Sequence, residues 1–147
     1  MPGADGSGTL YEAVRGIRSP QVVGWAFSED DLDDLRPKAF GAGLEPGDIL
    51  PGSRTTPDGC RLEWETLGLG VTYDSLIPFA IKWLTPDDHP SRSAPKGLRL
   101  TAFWFEHPKS IEVRDALAAI GVVARVVQLE APRIRVRIVG PKGEFEI

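Results

Sequence analysis

Apolar and polar positions divide the chain into two successive runs with the same element order. Val22–Phe27 (VVGWAF) is almost continuously apolar, the pattern of a strand buried on both faces. Ser28 then offers a helix N-cap, with Asp31 three residues on and further acidic residues in the first turn. Leu32 and Leu35 share one face of that helix, Pro37 predicts an early end or kink, and Gly41–Gly43 closes it. Strands follow at Ile49–Arg54 and Cys60–Thr66, joined by Thr56-Pro57-Asp58-Gly59, where Pro presets φ and Gly accepts a positive value. In the second of these strands Leu62 and Trp64 point one way and Arg61, Glu63 and Glu65 the other. After Gly68 and Gly70, Ile77–Leu84 reads as a further strand, completing a β-α-β-β-β run.

Residues 85–97 (TPDDHPSRSAPKG) carry three prolines and few apolar groups, and read as a linker. Beyond it Leu98–Glu106 is predicted as a strand, with Leu98, Leu100, Ala102 and Trp104 alternating against Arg99, Thr101, Phe103 and Phe105. Pro108 suits the first turn of a helix. Val113, Leu117 and Ile120 then give a buried helical stripe, and Gly121 suits the position after its end. Ala124–Leu129 and Arg133–Val139 are predicted strands. Gly140-Pro141-Lys142-Gly143 turns into a last one, Glu144–Ile147, which sets Arg137 opposite Glu146 and Ile138 opposite Phe145. The expected fold class is α+β: two tandem βαβββ units forming curved mixed sheets with helices packed outside. The expected organisation is a flexible lead-in over 1–21 with a short helix at Leu10–Ile17, a first unit over 22–84, the linker at 85–97 and a second unit over 98–147.

Several short motifs in this order carry a family resemblance. GWAFSEDDLDDL (Gly24–Leu35), PGSRTTPDG (Pro51–Gly59), PFAIKW (Pro78–Trp83) and the later His89-Pro90 resemble the bacterial glyoxalase-like domain family of the vicinal-oxygen-chelate superfamily. His107-Pro108, DALAAIGV (Asp115–Val122) and PKGEFEI (Pro141–Ile147) look like that family's final unit. The resemblance covers about Gly24 to Ile147 and implies a longer relative with a further βαβββ unit before the first strand. It also implies, in metal-dependent members, a divalent ion held by His and Glu from the first and last strands of each unit.

Composition narrows the function classes. The chain has 147 residues, 41% hydrophobic and 26% charged, an ordinary globular balance, and a net charge of -4 that gives no general attraction for nucleic acid. A single cysteine, Cys60, allows no intrachain disulfide and fits a reducing compartment. The opening MPGADGSG has neither the basic start nor the apolar run of a signal peptide, and no apolar stretch approaches the roughly 20 residues needed to span a bilayer. The expectation is a cytoplasmic protein without membrane or nucleic-acid partners, associating as a homodimer because unpaired strand edges seek partners.

Candidate chemistry is sparse. Of two histidines neither falls in a predicted strand, Val22–Phe27 offers no ligand, and Lys82 stands where a carboxylate would be useful, so no metal and no cofactor are expected. His89 and His107 each precede a proline and read as a loop residue and a helix-start residue; His89 is also the candidate general acid/base. Arg54, on a strand entering a turn, can clamp a carboxylate or phosphate or simply be solvated. Trp64, Trp83 and Trp104 sit on strand faces, either as core or as the aromatic lining of a ligand cup. Arg133, Arg135 and Arg137 form a basic row that Glu144 and Glu146 neutralise, and Cys60 reads as a passive strand residue. GLGLG lacks the Lys-Ser of a phosphate loop and no G-x-S-x-G elbow is present. The sequence favours binding of a small organic molecule, contacted by Arg54, Trp64, Trp83 and Trp104, over a metal-dependent or metal-free lyase, isomerase or dioxygenase.

Overall fold

A computed structural model describes residues 14–70, 73, 76–85, 87 and 89–147. Most of the predicted lead-in lies outside the described residues, as does most of the predicted Leu10–Ile17 helix. What is described of that helix is a single turn, in which the Ile17 N–H donates to the Val14 carbonyl at 3.2 Å.

The first sheet is built from β1 (Ala26–Ser28), β2 (Ile49–Thr55), β3 (Arg61–Gly68) and β4 (Phe79–Trp83), with helix α1 (Leu32–Gly41) between β1 and β2. Its order is β1-β4-β3-β2, with β1 parallel to β4 and the other pairs antiparallel. The second sheet contains β5 (Arg99–Glu106), β6 (Arg125–Val127), β7 (Arg133–Gly140) and β8 (Gly143–Glu146), with α2 (Ser110–Ala119) between β5 and β6. Both runs therefore have the predicted β-α-β-β-β element order, and the fold is α+β with two mixed four-stranded sheets. Their pairings differ: the second sheet is ordered β6-β5-β7-β8, so its first and last strands are separated by β7. Val122, Ala124 and Val126 explain the position of β6. These alternating apolar residues pack against the core beside α2, which keeps β6 next to β5 instead of at the far edge.

The local signals fared unevenly. The 140–143 turn gives the expected register, Arg137 opposite Glu146 and Ile138 opposite Phe145. Gly59 and Gly121 take φ of 88° and 81°, as their turn positions require. Val22–Phe27, by contrast, is not one strand. Val22 makes an isolated antiparallel bridge to Ile134 of the second sheet, and only Ala26–Ser28 pairs in the first, because the apolar run serves both sheets in turn. Ser28 ends β1 instead of capping α1. The cap is Asp31, whose carboxylate accepts the Asp34 N–H at 2.9 Å. Pro37 sits inside α1 without ending it: Asp33 and Pro37 both lie on the exposed side, where water can satisfy the carbonyl that loses its donor. The even alternation expected over Leu98–Glu106 is broken by a register shift between Leu100 and Ala102; beyond the shift it holds, with Phe103 and Phe105 toward the core and Trp104 on the other face. The linker is also more structured than predicted, holding a 3₁₀ turn at Pro90–Arg92.

One continuous core joins the two sheets. From α1 come Leu32, Leu35 and Ala39, from α2 Val113, Ala116 and Leu117, and from the strands Leu67, Ala80, Phe105 and Ile134. Trp25 bridges the two halves. Its indole stands 5.1 Å from Phe103 and 5.3 Å from Phe105, centroid to centroid, while its N–H donates to the Leu76 carbonyl at 2.8 Å. Truncating Phe105, which is fully buried, to Ala is expected to cost about 3–5 kcal/mol. Urea unfolding followed by fluorescence and by circular dichroism should give one coincident transition shifted to lower denaturant. Two separate transitions would show that the sheets do not share their stability.

Candidate functional site

Strand alternation gives the first sheet two unlike faces. Ile49, Leu67, Ala80 and Phe27 turn toward α1 and the core. Arg54, Gly52, Leu62, Trp64, Ile81 and Trp83 occupy the opposite face, which no helix covers, with Arg54 opposite Leu62, Gly52 opposite Trp64 and Trp64 opposite Trp83. The Trp64 and Trp83 rings lie 5.6 Å apart at 58°. Leu62 is only 1% exposed yet stands outside the main core cluster, so it is buried on this open side.

Two segments enclose that end of the sheet. One is the turn between β2 and β3. The Thr56 N–H donates to the Cys60 carbonyl at 2.8 Å, and the Thr56 hydroxyl also donates to the Asp58 carboxylate. That hydroxyl, together with the backbone N–H groups of Asp58 and Cys60, holds the Asp58 carboxyl below the usual carboxylate range. The other segment is the linker, tied to the sheet where Leu84 N–H donates to the Glu63 carbonyl at 2.9 Å. His89 caps the 3₁₀ turn: its Nδ1 accepts the Ser91 N–H at 3.1 Å, and its ring stands edge-on to Trp83 at 4.9 Å. Nδ1 also lies 2.8 Å from the Ser91 hydroxyl, so Ser91 occupies this ring nitrogen and leaves Nε2 as the second one.

Between these segments is a cleft of about 600 Å³, lined among others by Arg54, Asp58, Cys60, Leu62, His89 and Arg92. Arg54 and His89, singled out separately in the sequence, thus share one cleft, and Trp83 and Trp64 continue from His89 across the sheet. Sequence reasoning missed Arg92 and treated Asp58 only as a turn residue; a basic residue in the linker was the one available signal. Arg92 stands 3.9 Å from the exposed Asp87, a loose pair of little energetic weight. Arg54 makes no salt bridge among the described residues.

Trp104 is not part of this grouping. It lies on the second sheet with the Arg135 and Arg137 guanidinium carbons each 5.9 Å from its ring. Two of the three arginines in the basic row are paired with neighbouring carboxylates: Arg135 reaches Glu146 at 2.7 Å and Glu106 at 3.7 Å, and Arg137 reaches Glu146 at 3.1 Å and Glu144 at 3.4 Å. His107 differs from the helix-start residue expected. It is 3% exposed, its Nδ1 accepts the Lys109 N–H at 2.9 Å, and its ring meets Tyr73 edge-on at 5.8 Å.

A match to the glyoxalase-like domain family spans residues 2–121, most of the chain. The chain belongs to that family. The match starts earlier than the motifs suggest and stops before β6, so β6, β7 and β8 lie outside it. The crystal structure of a hypothetical protein from Staphylococcus aureus aligns with a TM-score of 0.54 at 13% identity, a likeness of fold. The alignment covers 85% of this chain and 51% of that one, so the chain spans about half the length of that neighbour. No curated protein matches. No helix among the described residues is long and apolar enough to cross a membrane.

The glyoxalase-like fold raises the question of a divalent metal on the first and last strands of each unit. The residues present do not fit one. On the open face of the first sheet those strands offer Ala26 and Ser28, then Phe79, Ile81 and Trp83, none of them a ligand of the required kind. Lys82 points to the other face, with Glu65 at 3.7 Å. In the second unit Glu106, Glu144 and Glu146 are engaged by Arg135 and Arg137, and no three His, Cys, Asp or Glu side chains converge among the described residues.

Arg135 and Arg137, through hydrogen bonds and charge, hold the Glu146 carboxyl below its ordinary value of 4.5. A depressed folded-state value contributes stability above the ordinary value, and that contribution is lost as pH falls through the folded one. Glu146→Gln should therefore lower stability at neutral pH and flatten its acid dependence below about pH 4.5, the ordinary value. Denaturant midpoints measured across the acid limb test this: parallel curves for the two proteins would contradict the assignment.

Proposed function

We propose that the chain binds a small organic anion with an apolar or aromatic body in the cleft between the Thr56–Cys60 turn and the linker. The observation that carries this reading is the convergence of Arg54 and His89 on one cleft floored by the buried Leu62. Arg54, unpaired among the described residues, supplies a planar donor fork suited to a carboxylate or phosphate. Leu62 supplies an apolar surface, and His89 a ring nitrogen, Nε2, that Ser91 does not engage. Opposite charges at Asp58 and Arg92 give the cleft a polar rim that favours a defined orientation over bulk attraction.

Titration with benzoate, followed by tryptophan fluorescence and calorimetry, tests the proposal. Loss of a charge-assisted hydrogen bond is worth about 1.5–3 kcal/mol, so Arg54→Ala should weaken binding by roughly 10-fold to 100-fold. Equal affinities would remove Arg54 from the site.

A second reading, proton transfer of the isomerase or lyase type, is favoured by the Ser91 contacts to His89 Nδ1, because Nε2 is the ring nitrogen left to donate or accept a proton. His89→Asn keeps a side-chain acceptor for the Ser91 N–H. Under this reading it abolishes turnover of a converted anion while leaving its binding largely intact. Retained turnover would eliminate His89 as the acid/base.

A further inference from the structure

We infer that Gly52 is the positioning residue of the cleft's aromatic array, fixing Trp64 and through Trp83 the ring of His89; the inference rests on the reading of that cleft as the ligand site. Gly52 lies within β2, opposite Trp64. Glycine inside a strand lowers stability unless a bulge, a bend or a close approach requires it. Conformation does not require it here, since the glycines with positive φ are elsewhere. The ladder also runs in unbroken register past this position, from Ile49 opposite Leu67 to Thr55 opposite Arg61. What requires glycine is the indole: a Cβ at position 52 would lie 2.3 Å from Trp64 Nε1, 2.5 Å from Cε2 and 2.9 Å from Cζ2. Trp64 therefore lies across the space that any other side chain would fill.

The consequence travels through packing. An indole is rigid, so relief of that overlap requires the whole ring to swing. Its aromatic neighbour is Trp83, at 5.6 Å, and Trp83 in turn meets His89 at 4.9 Å. His89 in turn holds the 3₁₀ turn through the Ser91 N–H, so one array runs from the floor of the sheet to the wall of the cleft. Tilted and edge-on ring contacts of this kind transmit displacement because dense packing leaves no slack to absorb it. Gly52 touches no ligand itself; it sets where the two indoles and the imidazole stand.

The test reads position without any ligand. In the wild-type chain the Trp83 ring current should displace the His89 ring resonances in the NMR spectrum, and the Trp64–Trp83 pair should give an exciton couplet in far-ultraviolet circular dichroism. Gly52→Ala should lose the couplet and shift the His89 resonances toward their unstructured values, leaving those of His107 in place. Trp64→Leu removes the overlap, so Gly52→Ala should lower the melting temperature in the wild-type background and not in the Trp64→Leu background. Should Gly52→Ala fail to fold alone while the double variant folds, that rescue also supports the inference. An unchanged couplet with unchanged His89 resonances overturns it, as does an equal thermal penalty in both backgrounds. Benzoate affinity is the separate arm. Weaker binding by a folded Gly52→Ala supports the role in the cleft, and unchanged binding despite displaced rings overturns that role. Failure of the wild-type chain to bind benzoate sinks the anion-binding reading, and the His89 resonances still decide the positioning.

Discussion

The packing of Trp25 against Phe103 and Phe105 is the contact on which the rest of the architecture depends. Each sheet has four strands and one helix, too little apolar surface to be stable alone with any margin. Trp25 precedes β1 of the first sheet while its ring meets β5 of the second, and its indole N–H is satisfied by the Leu76 carbonyl. The bridge from Val22 to Ile134, a few residues earlier, pulls the chain to the same seam. A segment that would be an ordinary first strand is thereby divided between two sheets, and one core replaces two inadequate ones.

Committing the helix-bearing faces to a shared core leaves one open face on each sheet, and the two have solved that exposure differently. On the second sheet arginines and glutamates neutralise each other over Trp104. On the first, two tryptophans, Leu62 and Ile81 cover the surface, and the Thr56–Cys60 turn and the linker wall one end of it. The cleft so walled has an apolar lining and a few polar groups, the usual composition of a small-molecule pocket.

How much of this was legible in the sequence depended on the range of the signal. Turn chemistry at Pro57-Asp58-Gly59 and at Pro141-Lys142-Gly143, the stripe Val113–Leu117–Ile120, and the pairing of Arg137 with Glu146 are local, and the sequence conveyed each of them. The split of Val22–Phe27 was not legible, because an apolar run does not state which sheet it serves. Nor was the placement of β6: parallel pairing through a helix leaves no periodicity that distinguishes one edge of β5 from another. Arg54 and His89 could be named as candidates from residue type, but their convergence depends on the fold of the linker, whose prolines read only as a break. Trp104 was placed in the second unit by its strand, but it shared the strand-face signal of Trp64 and Trp83, which does not say whether the three rings line one cup.

Electrostatic commitment decides which of the two open faces is suited to an anion. An arginine already held by carboxylates gains little from a further one, since the new partner must displace the old. Arg135 and Arg137 are in that position, and the depressed Glu146 carboxyl marks how firmly the three groups are engaged. Their Nε atoms are buried without a hydrogen bond, near Glu106 and Glu144 at 3.7 and 3.4 Å, which leaves them no geometry for a bidentate ligand. Arg54 has no such attachment among the described residues, and its neighbour across the ladder is Leu62. An anion arriving there would displace only water, beside an apolar floor that lowers the local dielectric and strengthens the contact. Carboxylates thus engage Arg135 and Arg137 on the second sheet, while Arg54 on the first has no salt bridge among the described residues.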